Sequence, residues 1–195
     1  MNWDWKQLVL VVLLVVMLLA LRKLGVRKGK ESRAARMMKQ YGHMSRETFD
    51  AIPEGERVDA VISRVLARAE EERRPDPVQA LAELGNGSTV VYSVWAVCRE
   101  MAAADGEALM ASPTAAVADL AAESFRTIGA SACGDTFAAL ASLLKDAAHA
   151  DRTVLAEAER AFRQAVQTEC PLTLCESYIG DHADEFIDPP PAETV

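Results

Sequence analysis

The chain has 195 residues, of which 50% are apolar and only 6% aromatic. This composition suits one folded domain or two small ones, and it excludes wholesale disorder and long repeat arrays. The net charge of −8 averages two opposed stretches: residues 1–46 carry ten basic and two acidic side chains (+8), residues 47–195 eleven basic and twenty-seven acidic (−16).

Leu8 to Leu21 reads LVLVVLLVVMLLAL, with no polar side chain. That run falls short of the about 20 residues a bilayer requires, but its flanks supply the rest. Trp3 and Trp5 suit one headgroup region, while Lys6, Arg22 and Lys23 can snorkel. Trp3 to Leu24 then spans about 33 Å at the helical rise of about 1.5 Å per residue. A retained single-pass transmembrane helix within residues 1–24 is therefore expected. The competing readings are a cleaved signal peptide, a buried core helix and a surface-lying amphipathic helix. Against the first, only Lys6 precedes the apolar run and no small-x-small cleavage site follows it; against the last, Val9 to Leu19 has no polar face.

Basic residues crowd the C-terminal flank, among them Arg22, Lys23, Arg27 and Lys28, so the N-terminus is expected outside and the bulk of the chain in the cytoplasm. Residues 25–50 read as a basic, partly helical tether interrupted by Gly25, Gly29 and Gly42. Across residues 22–46 the only acid is Glu31. This stretch is either a stop-transfer signal alone, a contact with anionic lipid at about 1 kcal/mol per basic residue, or a segment folded back on the acidic domain.

Residues 51–187 read as an acidic helical domain, with helical period throughout residues 55–187. Val58, Val61, Ile62, Val65, Leu66 and Ala69 form one stripe, with Glu and Arg opposite. Asp76-Pro77 is an N-cap followed by proline at the first helical position, opening a short helix that Gly85 stops. Ser88 is expected to cap the next helix, whose Val91, Val94, Trp95, Cys98 and Met101 face inward and which ends near Gly106. Ser112-Pro113 repeats the start signal ahead of Val117, Leu120, Ala121, Phe125 and Ile128. A helix over about residues 135–148 follows, then one capped by Asp151 with Val154, Leu155, Ala158, Phe162 and Val166 inward. Pro171 opens the last, with Leu174, Cys175, Tyr178, Ile179, His182 and Phe186 on a common side. Residues 188–195 read as a disordered tail. The fold class is all-α: a single transmembrane helix plus a compact bundle of about seven short helices.

Three stretches resemble a known family. ELGNGSTVVYSVW (Glu83–Trp95), ESFRTIGA (Glu123–Ala130) and SYIGDHADEF (Ser177–Phe186) are similar to motifs in the C-terminal domain family of a bacterial DNA-mimic protein, over roughly residues 45–187. Ser88 stands where that family has a second glycine, and the aromatic-rich strip usual after the glycines is missing. The resemblance implies an all-helical, often acidic domain without established enzyme activity, whose DNA-mimic member binds a transcription factor through negative charge. With the anchor, it implies a protein at the bacterial inner membrane.

Candidate sites follow. Asn86-Gly87 joins two helices, one of the pair being expected in a left-handed conformation; it reads as a connector, or as helix N-terminal amides that line a peptide or anion pocket beside Tyr92 and Trp95. Residues 75–195 hold nineteen acids and six bases, which disfavours direct nucleic-acid binding. The acids serve solubility, or else Asp119, Glu123, Asp151, Glu157, Glu159, Asp181, Asp184 and Glu185 imitate phosphates for a basic protein partner. Cys98, Cys133, Cys170 and Cys175 lack zinc spacing and read as free thiols, with Cys170 the exposed and oxidisable one. No Walker loop, nucleophile elbow or HExxH occurs, and no metal or cofactor is implied. The leading expectation is a membrane-anchored, non-enzymatic interaction domain. The alternatives are an enzyme using His182 or a cysteine, and a structural subunit of a membrane assembly.

Overall fold

Ten α-helices and no strand occur among the residues described by the structure, a computed structural model covering 32–71, 77–146 and 149–189. The expected transmembrane helix lies outside these residues, as do Trp3, Trp5, Arg22, Lys23, Arg27 and Lys28. Among the described residues no helix is long and apolar enough to cross a membrane. The chain divides into two compact units, Met1–Arg36 and Met37–Val195; the first is described only over residues 32–36, and the second is the helical domain.

The helices are α1 (Arg33–Tyr41), α2 (Arg46–Asp50), α3 (Arg57–Glu71), α4 (Pro77–Leu84), α5 (Asn86–Ala103), α6 (Gly106–Ala111), α7 (Ala115–Thr127), α8 (Ser131–Lys145), α9 (Arg152–Glu169) and α10 (Pro171–Asp181), followed by a 3-10 turn at Ala183–Phe186. The helical unit begins earlier than residue 51. Tyr41, Met44 and Phe49 are buried in the same core as α3 and α5, because the basic stretch interleaves aromatic and aliphatic residues among its charges. Ser45 caps α2 through its hydroxyl, which accepts from the Thr48 amide at 3.1 Å.

The stripes lie inward, with three exceptions. Leu120, Val154 and His182 are exposed at the margins of their stripes. α7, α8 and α9 pack side by side and α5 packs on α3, α4 and α7. Phe125, Phe137 and Phe162 meet where α7, α8 and α9 converge, with ring centroids 5.2–6.0 Å apart. Such tilted and edge-on pairs are worth about 0.5–1.5 kcal/mol each beyond the area they bury.

Three start signals act where expected, whereas α7 begins at Ala115, beyond Ser112-Pro113, and has no side-chain cap. Asp151 Oδ1 accepts from the Thr153 amide at 2.7 Å, Pro171 opens α10, and α4 begins at Pro77. Three expectations are corrected. Gly106 is not the end of a helix but the first residue of α6, with Asp105 as its N-cap, so residues 57–181 hold eight helices rather than about seven. Ser88 is not a cap: it sits fully buried inside α5, which begins at Asn86. The left-handed residue is Gly85, at φ +87°, where a side chain would be strained; Asn86 and Gly87 are already helical.

Candidate functional site

Asn86 is exposed at the first turn of α5, and Gly87 is covered. A Cβ on Gly87 would stand 2.9 Å from Phe186 Cζ and 2.8 Å from Glu185 Oε2. The glycine therefore lets the closing 3-10 turn lie against the helix start, so that Glu185 and Phe186 cover it. Trp95 lies nine residues further along α5, about 13 Å at the helical rise of about 1.5 Å per residue. Tyr92 is buried and stacks on Trp95 at 5.7 Å. The expected grouping of Asn86 and Gly87 with Tyr92 and Trp95 is thus not formed: the α5 start and Trp95 belong to different parts of the surface.

The acids are largely engaged within the domain. Asp184 pairs with Arg46, and Glu185 with His182 at 3.3 Å. Asp119 holds Lys145 at 2.7 Å, Glu123 holds Arg126 at 3.4 Å, and Asp151 caps its own helix. Of the eight carboxylates considered as phosphate mimics, Glu157 and Asp181 alone are without a partner among the described residues. The rest of the explanation lies in four helix or turn starts that lack a side-chain cap of their own or take a second one. Glu176 accepts from the Arg57 and Val58 amides of α3 at 3.2 and 2.9 Å. Glu169 accepts from Ala132 and Cys133 of α8 at 3.0 and 2.8 Å, Glu159 from Gly106 of α6 at 2.7 Å, and Asp188 from Met44 at 2.7 Å. Each places negative charge on the positive end of a helix or on orphan amides, which is favourable.

These carboxylates are structural, and at Glu169 the capping bonds favour the charged form. Partial burial works to raise the Glu169 carboxyl, but the amides of Cys133 and Ala132 and the Cys133 side chain outweigh it, holding it below the ordinary glutamate value. A depressed folded value means that its contribution is complete above the unfolded value of about 4.3 and is lost as pH falls through the folded one. Glu169→Ala is expected to lower stability by about 1 to 2 kcal/mol at neutral pH, read by urea denaturation, with the difference from wild type shrinking as pH falls below about 4. An unchanged midpoint would show that α8 needs no cap from α9.

Two hollows of the domain meet at Trp95. One hollow, of about 520 Å³, has Trp95, Leu172 and Val58 as apolar walls with Glu54, Asp59 and Glu176 around them, and no basic side chain in its lining. Leu172 projects there at 41% exposure. Trp95 also borders a second, apolar cavity of about 350 Å³ formed between α5, α9 and the first turn of α10. Sequence reasoning found Trp95 from its helical period. It missed Glu54, Asp59, Glu176 and Leu172, which come from three separate segments and have no shared pattern along the chain.

The thiols and His182 show no activated arrangement. Burial pushes the Cys98 thiol up to about 12 and raises Cys133 and Cys175 as well, so all three are neutral at physiological pH. Cys170 is exposed, at φ +50° between α9 and α10. His182 is exposed, stacked on Tyr178 at 4.4 Å. Among the described residues no three such side chains are grouped to hold a metal ion.

Fold and site together define an all-helical domain with a tryptophan-centred groove of divided polarity. The chain matches no protein-family model, no curated protein and no solved structure.

Proposed function

We propose that this chain is a non-enzymatic protein-interaction domain held at the cytoplasmic face of a bacterial inner membrane. Its anchor is the apolar segment of residues 3–24, and the basic residues that follow rest on anionic lipid. The observation that carries the reading is the acidic hollow at Trp95. There, carboxylates of Glu54, Asp59 and Glu176 surround an indole and an exposed leucine, a combination that fits a partner segment presenting a Lys or Arg beside an apolar side chain. Aromatic anchors inside a polar rim are the usual centre of a protein interface. Attraction of a basic protein partner by negative charge also agrees with the DNA-mimic resemblance, with this one hollow in place of a phosphate-like array. Anchoring raises the local concentration of whatever binds.

A photo-crosslinking residue placed at Leu172 of the full-length chain in cells tests this, with the exposed Val154 of α9 as the control position. A discrete adduct is expected at position 172 and not at 154. Glu54→Arg should reduce it by about tenfold, the effect of about 1.4 kcal/mol. Equal labelling at both positions, or labelling indifferent to Glu54→Arg, would overturn the reading.

A further inference from the structure

The apolar cavity at Trp95 differs in charge from everything around it. It shares Cys98, Ala102 and Val166 with an adjoining cavity of about 250 Å³ that reaches Met101 and Phe162. Neither has a carboxylate in its lining, in a domain where acids outnumber bases about twofold. Each has one arginine. Arg163 is committed: its guanidinium donates to the Met101 carbonyl and, at 2.7 Å, to that of Ala104, closing the end of α5. Arg99 is not. It lies 5.0 Å over the Trp95 ring and has no acidic partner among the described residues, whereas Arg126 and Arg152 are both paired with carboxylates.

A cation stacked on an indole is held in place without being neutralised. At the lip of two adjoining apolar cavities, the outer of them within the size range of about 300–1,000 Å³ typical of small-molecule sites, it is complementary to an anionic head group with an apolar chain. We propose that this site binds a small anionic amphiphile, a medium-chain free carboxylate. Its head group accepts from the Arg99 guanidinium, and its chain lies along Ala102 and Val166 toward Phe162. The adjacent acidic hollow repels the head group and so sets the direction of entry. The site shares Trp95, Leu172 and Thr173 with the acidic hollow, but Glu54 does not line it, so Glu54→Arg separates the two readings.

The test uses the full-length chain in nanodiscs of zwitterionic lipid, with Trp3→Phe and Trp5→Phe so that Trp95 is the one indole left. 2-Bromodecanoate, whose bromine sits beside the head group and so against the indole, should quench Trp95 saturably, and decanoate should compete. Affinity should rise by about fourfold for each added methylene from octanoate to decanoate, the value of burying one CH₂. Arg99→Gln should weaken decanoate by about tenfold or more, as loss of a hydrogen bond to a charged group does, and leave decanol unchanged. Ala102→Phe, at an exposed position shared by both cavities, should abolish quenching in a protein that melts like its parent. Glu54→Arg should leave quenching intact even if it ends partner capture. Quenching that grows linearly without saturating, competition by decyltrimethylammonium equal to that by decanoate, or indifference to Arg99→Gln would each overturn the proposal.

Discussion

Asp188→Ala is expected to destabilise the domain by about 3–5 kcal/mol, the typical result of leaving a buried charge without its partner. Arg64 is only 3% exposed, and its guanidinium pairs with Asp188, while Nε and Nη1 find no other partner. The same carboxylate accepts from the Met44 amide, and the Asp188 amide donates to the Met44 carbonyl at 2.8 Å. One residue thus ties the end of the chain to α3 and to the segment between α1 and α2. Partial burial pushes the Asp188 carboxyl up. The hydrogen bonds from Arg64 and Met44 and the charges of Arg64 and Arg68 prevail, so it lies below the ordinary aspartate value. Its contribution is therefore complete above the unfolded value of about 3.9 and lost as pH falls through the folded value. Urea denaturation at neutral pH reads the loss. The double variant Arg64→Met with Asp188→Leu should recover most of it, because two apolar groups in place of a buried ion pair cost little. If Asp188→Ala alone leaves the midpoint in place, the pair is not what holds the chain end.

Phe162→Ala is expected to cost about 3–5 kcal/mol, as removal of a fully buried phenyl ring does. The ring packs against Phe137 at 5.2 Å and Phe125 at 5.7 Å, so its loss unseats three helices together. Phe162 also lines the inner cavity beside Cys98. Thermal melting should show a single, lower transition. Phe162→Leu, which keeps most of the volume, should lose about a third as much by the same transfer argument. Equal melting of wild type and Phe162→Ala would mean that the three rings are not the centre of the core.

What could be read along the chain was whatever is set by near neighbours. Helical period picked out Phe125, Phe162 and Ile179 as core residues, and all three are fully buried. Asp151 and Pro171 marked helix starts because a cap or a proline acts within its own turn. Arg64 misled for the opposite reason. On a helical wheel it belongs to the charged face of α3, and nothing nearby signals that a segment from residues 41–52 and the chain end will cover that face. Ser88 and Gly106 misled because the same residue types cap, stop or start helices depending on what packs there.

The sequence by itself determined an all-helical domain, its buried stripes and its opposed charge, since these follow from spacing and composition. Only the tertiary structure decided what the acids do. The amide held by Glu176 belongs to Val58, 118 positions away, and Trp95 gains its acidic neighbours from α3 and from the loop before it as well as from α10. Long-range capping and a shared cavity depend on which helices lie side by side, a quantity that no local period or propensity encodes.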